Sequence, residues 1–160
     1  MRVVIDQVKH AHLLLVGDGL TRSESEGLVT RLGIDTHVTF TGARTDAMRL
    51  YSAMDIHMLC SYPAETFPLC VTEAMAAGVV PVATRVGGVP DLVSDSETGV
   101  LVEPESPESL AEAIVNLACD TPTCQRLGEA AHQFAISRFS LDKMVDAFVE
   151  LLTDEKSVCS

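Results

Sequence analysis

Two carboxylates, Glu65 and Glu73, stand eight positions apart, at the edge and in the middle of a segment that otherwise reads as core. From Phe67 to Val80 nearly every side chain is apolar or small, and Glu73 is the only charge. A carboxylate in an apolar helix is costly unless it is paired or hydrogen-bonded, so Glu73 needs a partner. A cis-diol such as the 2′,3′-diol of a ribose offers two O–H donors that one carboxylate can accept. Glu65, in the preceding loop, can accept from the hydroxyls of a second polar ring. Pro68 suits the first position of the helix that follows, because its missing N–H would be unpaired there anyway. The free N–H groups around Leu69 and Cys70 then point outward with the positive end of the helix dipole, which favours an anion. A second strand–glycine–helix turn, TRVGGVPD (84–91), carries Gly87 and Gly88. A glycine pair lets a ligand approach the backbone and leaves its N–H groups available. A pentose, a diphosphate and a hexose in that order make a nucleotide diphosphate sugar. Taken alone, Glu73 is better explained by an Arg on a neighbouring helix and Glu65 by solvation in its loop. The two acids around one helix start, followed by the glycine pair, favour the ligand.

These residues need a scaffold that ends several strands at one edge. Short β-type runs alternate with helical patterns. Strands are expected at 12–16 (HLLLV), 37–40 (HVTF), 56–60 (IHMLC), 79–84 (VVPVAT) and 99–102 (GVLV). Helices are expected at 21–32, where Leu28, Val29 and Leu32 share a side, near 45–53, at 67–77, and near 89–93. The strands are continuous apolar runs rather than alternating ones, the signature of a parallel sheet covered on both faces. Strand, helix, strand in repetition implies right-handed βαβ units. Open parallel sheets bind ligands beyond the carboxyl ends of their strands, which is where both equipped loops fall. After Val102 the pattern is helical only. Ser106 with Pro107, Thr121 with Pro122, and Ser140 each mark a helix start. The three helices carry apolar faces at Leu110, Ala113, Ile114 and Leu117, at Leu127, Ala131 and Phe134, and at Met144, Val145, Phe148 and Leu152. The last few residues are expected to fray.

Composition narrows the function classes. With 160 residues the chain can bury one sizeable core. A net charge of -12 argues against a nucleic-acid partner and against docking on an anionic membrane. No apolar stretch approaches the roughly 18 residues needed to span a bilayer. The five cysteines form no CxxC and no zinc-type cluster with histidine, so reduced thiols in a cytoplasmic protein are expected and no metal site is. GDGLTR (17–22) fails as a dinucleotide loop because Arg22 occupies the third glycine position. The five histidines are scattered.

Taken together, E-x-F-P-x4-E-A-M-A-A-G-x2-P-V-A-T-x2-G-G-x-P-D (65–91) resembles the donor-binding half of retaining GT-B glycosyltransferases of family 4, the group 1 glycosyl transferases. Glu65 and Glu73 look like the two acids of its E-x7-E motif. LLLVGDGL (13–20), VTFTGA (38–43), LYSAMDI (50–56) and TGVLV (98–102) are similar too, so the likeness covers nearly the whole chain. It implies a Rossmann-like α/β domain over residues 1–152 with a helical C-terminal segment and a frayed tail at 153–160. It also implies that Glu73 holds the ribose diol and Glu65 contacts sugar hydroxyls. The backbone at Phe67, Pro68 and Leu69 would line sugar and phosphate. Gly87 and Gly88 would lie close to the diphosphate, and Arg44 is a weaker candidate for a base contact. Donor sugar is transferred with retention of configuration and without a bound metal or cofactor, the leaving diphosphate assisting deprotonation of the acceptor.

The departures shape one more expectation. Members of that family carry an Arg and a Lys just before the position where this sequence starts, and these neutralise the leaving diphosphate. The family's first strand and its N-terminal acceptor domain are also not among these residues, and Arg2 and Lys9 occupy unmatched positions. The chain is therefore expected to be the C-terminal part of a longer enzyme, with weak donor binding, little transferase activity by itself, and an acceptor that the motifs do not name. A nucleotide-sugar epimerase fragment and a non-catalytic nucleotide-sugar-binding module are the alternatives.

Overall fold

The computed structural model describes residues 1–62 and 65–153. Helix α1 (Arg2–Gln7) leads to β1 (Leu13–Val16), α2 (Arg22–Leu32), β2 (Val38–Gly42), α3 (Ala47–Leu50) and β3 (Ile56–Leu59). Then follow α4 (Leu69–Ala76), β4 (Val80–Thr84), α5 (Val89–Leu92) and β5 (Val100–Val102). Helices α6 (Pro107–Cys119), α7 (Thr121–Arg138) and α8 (Leu141–Thr153) end the described chain, and residues 154–160 of the expected tail lie outside it.

Every strand pairing is parallel, as the continuous apolar runs require, but the strands form two sheets, β1–β2 and β3–β4–β5. All five residues of β4 are buried, because strands flank it on both edges and helices cover it. Pro81 sits inside this central strand, where a proline removes a ladder donor. It is tolerated because β5 pairs only from Val82 onward, so one flank at Pro81 carries no ladder. Val71 and Met75 of α4, Val89 and Leu92 of α5, and Ala131 and Ala135 of α7 close one side of this sheet. Leu117 of α6 and Leu127 of α7 close another cluster with Val80 and Val82. Gly128 lets α7 approach α4: a Cβ there would stand 2.4 Å from the carbonyl oxygen of Gly78.

The two sheets meet at a cavity of about 900 Å³ walled by Leu13–Val16 of β1 and by Ile56, His57 and Met58 of β3. β2 occupies the other edge of β1, so this edge is the free one.

Three local readings change. Helix α2 buries none of its residues, and Leu28 and Leu32 are exposed, because no element covers its apolar side among the described residues. Met144, Val145, Phe148 and Leu152 do share a face of α8, yet all four are exposed. Helix α7 is capped by Asp120, whose carboxylate accepts the Thr123 N–H at 3.1 Å, rather than by Thr121, which is already helical.

Candidate functional site

The two equipped turns are one structure. Thr84, buried at the end of β4, donates through Oγ1 to the carbonyl of Ser61 at 2.9 Å, tying the loop after β3 to its neighbour. Ser61 in turn donates through Oγ to Glu65 Oε1 at 2.5 Å. The Gly88 N–H donates to the Glu65 carbonyl at 2.9 Å. This contact explains the glycine pair. A Cβ on Gly87 would stand 1.9 Å from the Glu65 carbonyl oxygen, and one on Gly88 would stand 2.1 Å from that of Thr66. Gly87 also has φ +50°, a conformation most side chains avoid. The pair thus holds the Glu65 loop by close backbone approach. The Gly88 N–H is not available to a ligand as the sequence suggested, because the Glu65 carbonyl takes it.

Helix α4 starts at Leu69, two residues after the expected 67 and one after the expected first position at Pro68. Pro68 is its N-cap with extended ψ of 102°, so Leu69 is the first helical residue. The Val71 N–H returns to the Pro68 carbonyl at 3.0 Å, while those of Leu69 and Cys70 stand at the free end of the helix. Pro68 is buried, and Leu69 is exposed beside it. Phe67 packs edge-on against Phe139 at 5.6 Å between ring centres, and Phe139 packs edge-on against Phe134. The loop is therefore pinned from the side of α7 by an aromatic stack.

Glu73 is half-buried on α4 and lines the large cavity, together with Tyr51 and Cys70. No cation pairs with Glu73 or Glu65 among the described residues. The polar partner of Glu73 is Tyr51, whose hydroxyl lies 3.3 Å from Oε2 and 3.1 Å from the Cys70 carbonyl. Tyr51 is 7% exposed. Burial, then the charge of Glu73, pushes its phenol up to about 12, so it stays a donor at neutral pH. Sequence reading missed Tyr51; its only signal was its place in LYSAMDI, ahead of β3. Glu65 lies apart from this cavity wall, in the loop held by the glycines. Arg44 is exposed and held by Asp46, with contacts of 2.8 and 2.7 Å. Those hydrogen bonds hold Asp46 below the usual carboxylate range and engage Nε and Nη2 of the guanidinium. Burial pushes the half-buried Cys70 thiol up, which keeps it protonated.

A sequence profile described as Glycosyl transferases group 1 matches residues 1–120. The chain belongs to that family. N-acetyl-alpha-D-glucosaminyl L-malate synthase of Bacillus anthracis is 33% identical over 151 residues, 92% of this chain and 39% of the relative. A structure of Anabaena Alr3699/HepE in complex with UDP superposes with a TM-score of 0.85 at 29% identity, over 95% of this chain and 44% of that one. The C-terminal domain of a group 1 family glycosyl transferase (LpcC) from Francisella tularensis gives 0.76 at 26% identity, over 88% and 77%. The chain thus spans less than half the length of the first two proteins. Its fold is the Rossmann-like, GT-B-type half that the resemblance implied. Among the described residues no helix is long and apolar enough to cross a membrane.

Proposed function

We propose that this chain binds the nucleotide diphosphate sugar donor of a retaining glycosyl transfer, as the C-terminal domain of a longer enzyme. The observation that carries the reading is Glu73: a half-buried carboxylate with no cation partner among the described residues, on the wall of a large cavity, about one turn into its helix. Glu73 accepts the ribose diol and Glu65 accepts sugar hydroxyls. The diphosphate lies against the amides of Leu69 and Cys70, with Phe67, Pro68 and the Gly87–Gly88 turn lining it. Arg44, held by Asp46, stays the weaker candidate for a base contact. The Anabaena structural neighbour Alr3699/HepE is solved with UDP and with UDP-glucose, which makes UDP the first nucleotide to try. Retention without a metal or other cofactor belongs to the same proposal and rests on the E-x7-E pattern.

Calorimetry with UDP, GDP and ADP tests it. One nucleotide binds weakly, because a net charge of -12 opposes an anionic diphosphate. Glu73→Gln weakens that binding by about 10- to 100-fold, since a charge-assisted contact is worth roughly 1.5–3 kcal/mol. Equal affinity of the variant and the parent chain overturns the assignment of Glu73. Turnover of a radiolabelled sugar donor by these 160 residues alone would sink the view that an acceptor domain must complete the site.

A further inference from the structure

We infer that Tyr51 is a positioning residue for Glu73, setting the carboxylate in the orientation that receives a vicinal diol. The inference rests on the donor reading above and deepens it. Tyr51 sits just after α3, 22 positions before Glu73, and the two meet only because α4 folds back over β3. Its hydroxyl has one hydrogen, shared between Glu73 Oε2 and the Cys70 carbonyl, one turn earlier on the same helix. The phenol ring is buried and packs edge-on against His57 of β3, with 5.8 Å between ring centres, which limits its freedom to turn away.

A glutamate side chain on a helix surface samples several rotamers, and a diol needs both carboxylate oxygens facing it. Each carboxylate oxygen has two lone pairs, so Oε2 can keep the Tyr51 bond and still accept one ribose hydroxyl, while Oε1 accepts the other. Holding the rotamer before the ligand arrives removes part of the ordering cost from binding. Burial and the neighbouring charge both keep the phenol protonated, so the donor is present at neutral pH.

The test is a ligand-detected NMR titration of UDP and of 2′,3′-dideoxy-UDP against the chain, Tyr51→Phe, Glu73→Gln and the double variant. Tyr51→Phe should weaken UDP about three- to tenfold, the size of one ordinary hydrogen bond, and leave the dideoxy nucleotide unchanged. In the Glu73→Gln background it should cost UDP no further affinity. Equal losses for both nucleotides would mean that Tyr51 merely supports the fold, and no loss for either would mean that Glu73 needs no guide; each overturns the inference. If Glu73→Gln itself fails to distinguish the two nucleotides, or none of UDP, GDP and ADP binds, the donor reading falls and this one with it. If Glu73→Gln distinguishes them and Tyr51→Phe does not, only the role of Tyr51 falls.

Discussion

The β3–β4–β5 half and the β1–β2 half are written in the same kind of sequence, yet they bury it differently. In the first, β4 is closed on two edges and both faces, and α4 contributes Val71, Ala74 and Met75 with no exposed surface. In the second, β1 has one free edge, Val16 is exposed, and α2 buries nothing. The apolar content of a strand or helix sets what it could bury. What it does bury depends on how many neighbours the fold supplies. The candidate site sits where the two halves face each other: Glu73 comes from the well-packed half, and the opposite wall comes from β1.

Substitutions should separate the halves. Met75→Ala, in the closed half, is expected to cost about 2–5 kcal/mol in urea unfolding, because it leaves a cavity in a site with no room to collapse. Leu28→Ala on α2 should cost no more than roughly 0.5 kcal/mol, as for other surface positions. A Leu28→Ala loss as large as that of Met75→Ala would break the contrast, since it would mean that α2 is covered in solution.

Between these lies the turn that joins the site loops. Gly87→Ala puts a methyl group into the Glu65 carbonyl and strains a positive φ, with an expected loss of about 1–3 kcal/mol. UDP affinity should fall with it, read by calorimetry on protein still folded, because the Glu65 loop must move. An unchanged melting temperature would show that the loop is held less firmly than the hydrogen bond of Gly88 suggests.

The smallest effect is a pH dependence. His57 faces the cavity from β3, its Nε2 is buried without a hydrogen-bond partner among the described residues, and burial holds the ring below its ordinary 6.5. The unfolded chain therefore binds more protons as pH falls below about 6.5, and stability present above that value is lost on acidification. His57→Leu should flatten the pH 5–7 part of a stability profile. Identical profiles would show that the cavity admits enough water to solvate the imidazole.

Much of the frame was legible. The apolar runs named all five strands to within a residue or two, and their lack of alternation announced parallel pairing. The helix after Phe67 and the acid on it were legible because a lone charge in an apolar run stands out. Less legible was which apolar faces would be covered. Leu28 on α2 and Phe148 on α8 carry the same local signal as Leu127 on α7, but only α7 has a sheet to pack on. The cap of α7 was misplaced by one residue because Thr121 and Asp120 are both good caps, and only the bond to Thr123 decides between them.

Local chemistry over a few residues thus determined strand and helix identity, parallel pairing and the presence of a lone charge in an apolar helix. Tertiary structure alone decided that the Gly87–Gly88 turn presses on the Glu65 backbone, that Tyr51 meets Glu73, and that the strands part into two sheets. The physical reason is range. Propensity and periodicity act within one element, whereas these contacts join residues about twenty positions apart whose approach is set by how helices fold back over strands.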